Sequence, residues 1–173
     1  MSLTTPEPSR SVLITGCSSG IGLAAARQLQ HRGYQVFASA RKNADVKRLQ
    51  SEGLNAVALN LDCESSIQSA LNQVFEQTGG TLYGLFNNGG FGQAGAVEDL
   101  PTNALREQFE TLVFGWHELT RQVIPVMRQQ GEGRIIQNSS VLGFAAMPYR
   151  GAYNAAKFAI EGLTDTLLSL IHI

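Results

Sequence analysis

The chain has 173 residues, 43% of them hydrophobic and 16% charged, with a formal net charge of -1. That is the balance of an ordinary globular domain with a sizeable core. No basic excess points to nucleic acid, no basic amphipathic stretch to a membrane surface, and no apolar run is long enough to span a bilayer.

Residues 1–10, with Pro6, Glu7, Pro8 and Ser9, lack the apolar core of a signal peptide and read as a disordered lead-in. Ser11-Val12-Leu13-Ile14-Thr15 is a buried strand. Gly16-Cys17-Ser18-Ser19-Gly20-Ile21-Gly22 follows, and then the helix former Leu23–Leu29. A glycine loop in this context has a mechanical meaning. Gly16 permits the tight turn, Gly20 lets the backbone approach a pyrophosphate, and Gly22 lets helix and strand pack closely. The helix N-terminus then faces the anion. Taken alone, such a loop can be a mere turn.

Gly33 closes the first helix. Tyr34–Ala40 is the second strand, ending at Arg41 and Lys42. An NAD-binding unit places an acidic residue near this point to hold the ribose 2′-hydroxyl. The two cations instead suit a 2′-phosphate and favour NADP(H) over NAD(H); the plainer reading is a solvated basic loop. Asn43 is placed to cap a helix over Ala44–Ser51. Leu54–Leu59 is a third strand. Asp62 beyond it could reach an adenine amino group or cap the next helix, Ser65–Thr78, whose Ile67, Leu71, Val74 and Phe75 share one side. Leu82–Phe86 is a fourth strand, in front of Asn87-Asn88-Gly89-Gly90. So many small residues at a strand end call for close approach by a ligand or another backbone segment. Tyr34 and Tyr83 fall within strands as packing residues.

A long helix is expected from about Asn103 to Gln130, with a bend at Pro125. Its apolar stripe makes Trp116 a core or interface residue; His117 reads as structural. Arg134–Asn138 is the fifth strand, with Ser139 and Ser140 at its C-terminal end. Regular alternation of strand and helix implies a doubly wound parallel sheet of the Rossmann type, helices on both faces, ending after the fifth strand and its following helix. Ligands of such sheets bind beyond the strands' C-terminal ends.

The last helix carries Tyr153 and Lys157. Four residues apart, phenol and ammonium share one helix face. A lysine there favours the phenolate and makes the tyrosine a usable acid or base. Ser140, on a neighbouring loop, could hold the oxygen that gains or loses the proton. Tyr149 lacks a lysine four residues on and is assigned to the substrate-side wall. Cys17 and Cys63 form neither a metal pattern nor a disulfide framework, so a reducing cytoplasm is expected.

Thr15-Gly16-(three residues)-Gly20-Ile21-Gly22, Asn87-Asn88-Gly89-Gly90, Ser140 and Tyr153-(three residues)-Lys157 together resemble the short-chain dehydrogenase/reductase family over Val12 to Leu167. Within it, Leu13–Gly20 and Gly151-Ala152-Tyr153 are similar to the branch holding 17β-hydroxysteroid and retinol dehydrogenases and bacterial aldehyde or ketone reductases. The resemblance implies an enzyme moving hydride between NADP(H) and a carbonyl compound or alcohol. Tyr153 would be the acid/base, Lys157 its partner on the nicotinamide ribose, and Ser140 the clamp on the substrate oxygen. The dinucleotide would be held by Gly16, Ser18, Ser19, Gly20, Ile21, Gly22, Arg41, Lys42, Asp62, Asn88, Gly89 and Gly90, with Tyr153 and Lys157. Homo-oligomerisation through the long helix and the Tyr153 helix is a family expectation. The apolar stretch Val141–Tyr149, with Leu142, Phe144 and Met147, points to a lipophilic substrate.

Two positions depart from the family pattern. Gly89 replaces the usual alanine. Leu112 stands, when the helix is aligned on Gly115, where an asparagine commonly holds a water relay to the lysine, so weakened proton exchange with solvent is expected. A non-catalytic nucleotide-binding module is therefore the competing function. A methyltransferase on a similar sheet would leave Tyr153, Lys157 and Ser140 unexplained. The family also normally continues past this point with further strands, a loop at the nicotinamide and a substrate lid, which makes a C-terminal truncation the expectation. Such a chain would have an exposed sheet edge and a half-built pocket. Leu168-Ser169-Leu170-Ile171-His172-Ile173 can be encoded by CTG TCT CTT ATA CAC ATC, a transposase adapter sequence. Residues 168–173 are accordingly read as adapter read-through and 11–167 as the incomplete domain.

Overall fold

The structure is a computed structural model that describes residues 10–171. Five strands, β1 (Ser11–Ile14), β2 (Gln35–Ala40), β3 (Asn55–Ala58), β4 (Gly84–Asn87) and β5 (Arg134–Gln137), pair in parallel in the order β3-β2-β1-β4-β5. Between them run α1 (Gly20–His31), α2 (Asn43–Ser51) and α3 (Glu64–Thr78). Before β5 come α4 (Thr102–Phe109) and α5 (Trp116–Gln130); α6 (Gly151–Ile171) ends the described region.

Alternation along the strands decides which helices cover which face. Leu13, Phe37, Val57 and Leu85 point into a core shared with α3, α5 and α6, including Ile67, Leu71, Leu119 and Ile160. Their neighbours Val12, Ile14, Val36, Ala38 and Ala56 point the other way, against Ala26 of α1 and Val46 and Leu49 of α2. At β1 both faces are buried, so Val12-Leu13-Ile14 reads as a continuous apolar run with no polar alternation. This is the doubly wound Rossmann-type sheet that the alternation of elements implies. At the β5 edge Ile136 remains 57% exposed.

Some local expectations are corrected. Arg10 is not part of a free lead-in. Its carbonyl accepts the Gln35 N–H at 3.0 Å, and its guanidinium lies 4.4 Å from the Tyr83 ring centre and 3.3 Å from Glu132. Residues 1–9 lie outside the described region. Asn43 does not cap α2 but is its first residue; Lys42 holds the cap position without a side-chain bond. Cys63, not Asp62, precedes α3 at its cap. Tyr34 and Tyr83 sit just before their strands, rings 6.4 Å apart. Trp116 is buried in the core, while His117 is exposed.

The long helix is continuous in direction but not in type. Glu110–Gly115 forms a π-helical segment joining α4 to α5. The wider turn keeps Leu112, Val113 and Trp116 buried while Phe114 faces outward. Leu168–Ile171 continue α6 as helix, whereas His172 and Ile173 lie outside the described region. Among the described residues no helix is long and apolar enough to cross a membrane.

Candidate active site

β1 sends its chain to β2 on one side, while β4 lies on the other, so the order of the sheet reverses between β1 and β4, the point beyond whose C-terminal ends such sheets bind ligands. Two loops interlock there. Thr15 Oγ1 accepts the N–H groups of Asn88 and Gly89, both at 2.8 Å. The Asn88 side-chain amide donates to the carbonyls of Thr15 at 3.0 Å and Gly16 at 3.3 Å. Gly16 has φ +70°, and a Cβ on it would lie 2.5 Å from Gly89 Cα. A Cβ on Gly22 would lie 2.5 Å from the Gly16 carbonyl oxygen. Ser18, Ser19, Gly20 and Ile21 are exposed on the outer side of this turn. Ser19 makes no side-chain cap bond, so the first amides of α1 stay open to an anion. A glycine turn with open amides at a helix N-terminus fits a dinucleotide pyrophosphate.

Around the rim, Arg41 and Lys42 are exposed and enter no ion pair among the described residues. Arg48, which the sequence does not single out, donates to the Ser18 carbonyl at 2.6 Å and to Glu52 at 2.9 Å. It thus braces the glycine loop from behind. The Asp62 carboxylate accepts the Thr111 hydroxyl from the π-helical segment.

At the heart of the crevice Lys157 is only 3% exposed. Its Nζ donates to the Asn138 carbonyl at 2.7 Å, and lies 4.4 Å from the Trp116 ring centre and 5.5 Å from that of Tyr153. Burial pulls the lysine down from an ordinary 10.5 to about 8, an effect that Glu161 partly opposes. The Asn138 side chain donates to Asn88 Oδ1 at 2.8 Å. A continuous run of polar contacts therefore joins the Lys157 ammonium to the glycine loop. Trp116 adds a second link, since its Nε1–H donates to the Gly89 carbonyl at 2.8 Å.

Tyr153, Lys157, Asn88 and Gly90 line one open cleft of about 490 Å³, with Leu112 at its floor. Leu112 is fully buried and fills the space beside Gly90, where any side chain would collide with it. At Gly89 an alanine Cβ would come within 3.1 Å of the Gly16 nitrogen and 3.2 Å of Leu61, so glycine suits this close approach. Ser140 starts a short 3-10 turn, Val141–Gly143, and its hydroxyl accepts the Leu142 N–H at 3.1 Å. Its neighbour Ser139 lines the cleft. The fold thus brings Tyr153 and Lys157 together, with Ser140 on the adjoining turn and not hydrogen-bonded to Tyr153. Asn138, Trp116 and Arg48 are the contributors that sequence reasoning missed. Only the Arg48–Glu52 spacing on α2 carried a local signal.

The profile of short chain dehydrogenases matches residues 10–171. The chain belongs to the short-chain dehydrogenase family. An uncharacterized oxidoreductase of Escherichia coli K12, YbbO, is 44% identical over 165 residues, covering 95% of this chain and 61% of that protein. Retinol dehydrogenase 8 of Bos taurus is 36% identical, over 91% of this chain and 53% of its own. Among solved short-chain dehydrogenases, one from Streptomyces avermitilis superposes with a TM-score of 0.91 at 32% identity, covering 97% of this chain and 62% of that one. Actinorhodin polyketide ketoreductase with NADPH gives 0.85 at 30% identity, over 92% of this chain and 64% of that one. A short-chain dehydrogenase from Burkholderia phymatum in complex with NAD gives 0.86 at 28% identity, over 92% and 59%. The chain spans less than two thirds of each of these relatives.

Proposed function

We propose that this short-chain dehydrogenase chain carries the cofactor cradle and the acid/base pair of an oxidoreductase that interconverts a carbonyl compound and its alcohol. The observation that carries the reading is the Lys157 ammonium, buried beside the Tyr153 ring at the strand ends and tied through Asn138 and Asn88 to the glycine loop. A nicotinamide dinucleotide, when bound, supplies or accepts the hydride. Tyr153 gives its phenolic proton to the carbonyl oxygen in reduction and takes it back in oxidation. Lys157, as a cation, steadies the phenolate left behind. Ser140, its oxygen lone pair already engaged by Leu142, has its proton free to orient the substrate oxygen.

Arg41 and Lys42 support NADP(H) as the dinucleotide, since both are free to meet a 2′-phosphate and no acidic side chain competes at that strand end. Asp62, engaged with Thr111, is assigned to the adenine side. Cys17 and Cys63 are both free thiols, in keeping with a reducing cytoplasm. The α4–α5 helix and α6 are the faces assigned to a homo-oligomer contact, on family resemblance.

NADPH oxidation against a panel of aldehydes and ketones, with Tyr153→Phe in parallel, tests the reading on the full-length protein. Turnover that falls about 10²–10⁴-fold in the variant, with NADPH still bound, is the expected result. Leu112 favours one other reading, a nucleotide-binding module without catalysis, because it closes the site of the water relay with hydrocarbon. Cofactor binding without turnover across the whole panel would select that reading.

A further inference from the structure

Arg150 lines the same cleft as Tyr153 and Lys157, and the assignments made so far leave it without a task. Its backbone is fixed at two points. It pairs with Gly95 in an isolated parallel bridge, in which Gly95 N–H donates to the preceding Tyr149 carbonyl at 3.0 Å, and its own carbonyl accepts the Asn154 N–H at 2.8 Å. Tyr149 adopts φ +60°, and among the described residues no other residue besides glycine has a positive φ. A bulky residue in that region costs energy and persists only where its surroundings impose it. The strain turns the chain so that Arg150 enters the cleft while Tyr149 stays 70% exposed.

Its side chain is barely used. A guanidinium offers five N–H donors in a rigid fork. Here one of them makes a single long contact, Nη1 to the Gly92 carbonyl at 3.5 Å. Among the described residues Arg150 has no carboxylate partner, and no Asp or Glu lines the cleft. A side-chain carbon on Gly92 would lie 3.7 Å from Arg150 Nη1 and 3.4 Å from Tyr153 Cδ2, so fork and phenol flank the same patch of wall.

We propose that Arg150 is an anion-binding, specificity-determining residue, which makes the substrate class an oxo acid whose carboxylate lies a few bonds from the carbonyl. This rests on the hydride-transfer reading for the carbonyl end only. The carboxylate is a spectator: no bond to it forms or breaks, and it orients the carbonyl toward Tyr153. Phe91 and Met147, both exposed on the cleft, cover the hydrocarbon between the two polar ends. The planar fork matches a carboxylate bidentately, which a lysine point charge would not.

The test uses full-length protein, wild type and Arg150→Gln, with β-, γ- and δ-oxo acids and the methyl ester of each. Two quantities are read: the acid-to-ester ratio of kcat/KM with NADPH, and the dissociation constants of the corresponding hydroxy acids and hydroxy esters by calorimetry. The expected result is that wild type favours at least one acid and that Arg150→Gln lowers its ratio roughly tenfold to hundredfold. Arg150→Lys should recover part of the loss. Acids bound in an Arg150-dependent way, with no turnover of acid or ester, would sink the hydride-transfer reading and leave the anion site standing. Equal handling of acids and esters by wild type, or an unchanged ratio in Arg150→Gln, would overturn the proposal.

Discussion

The Lys157 ammonium lies 4.4 Å from the centre of the Trp116 ring, and the same indole donates its N–H to the Gly89 carbonyl at 2.8 Å. One aromatic side chain thus touches both halves of the site. A cation over an indole face gains about 0.5–2 kcal/mol, more as water is excluded. That attraction works against the burial that pulls Lys157 down.

Trp116→Leu should therefore move the alkaline edge of turnover to lower pH by about half a unit to one and a half units. Trp116→Phe, which keeps a ring face and loses the bond to Gly89, should move it less and raise the KM for the dinucleotide. PH profiles of kcat and kcat/KM for the three proteins check both statements. Equal edges in all three would show that the ring is mere filling.

Lys157 also couples stability to pH. Its folded pKa is about 8 against 10.5 for the free side chain, so between those values the unfolded chain binds more protons than the folded one. Stability contributed at this site rises with pH through that window and is lowest below about 8, where the buried amine must stay charged. Chemical denaturation of wild type and Lys157→Met from pH 7 to pH 10 should show the difference between them shifting in favour of wild type as pH rises. A pH-independent difference would mean that the lysine titrates normally in the fold.

Arg41→Ala with Lys42→Ala should weaken NADPH binding by about tenfold or more and leave NADH binding nearly unchanged, because only the former carries the 2′-phosphate. Fluorescence titration of both dinucleotides measures it. Equal losses for the two would assign these cations to the common part of the cofactor, and no loss would return them to solvent.

The sheet was legible because each strand is a short apolar run set between helix formers and glycine turns, as at Val12–Ile14 and Val36–Ala38. Tyr153, Lys157 and the glycine loop were legible because their spacing is local. What sequence could not show are contacts decided by tertiary closeness. The π-helical segment at Glu110–Gly115 has no signature in its own residues; it appears where the long helix must meet Gly90 and the Asp62 side chain. Asn138 looked like the end of a strand, yet its carbonyl seats the lysine and its side chain holds Asn88. Asn43 and Asp62 were both credible caps by residue type, and the helices begin one residue away from where those caps would serve.

The Thr15–Asn88–Asn138–Lys157 run has a consequence for anyone redesigning this protein. The proposed pyrophosphate cradle and the proposed proton-transfer pair look separable, one on the first loop and the other on the last helix. They share a seat. A transplanted nucleotide loop that lacked a hydroxyl at position 15 would leave the N–H groups of Asn88 and Gly89 without their acceptor and loosen the turn whose Asn88 side chain meets Asn138, some distance from the altered residue. Loop grafts onto this scaffold must therefore carry the threonine and its asparagine together.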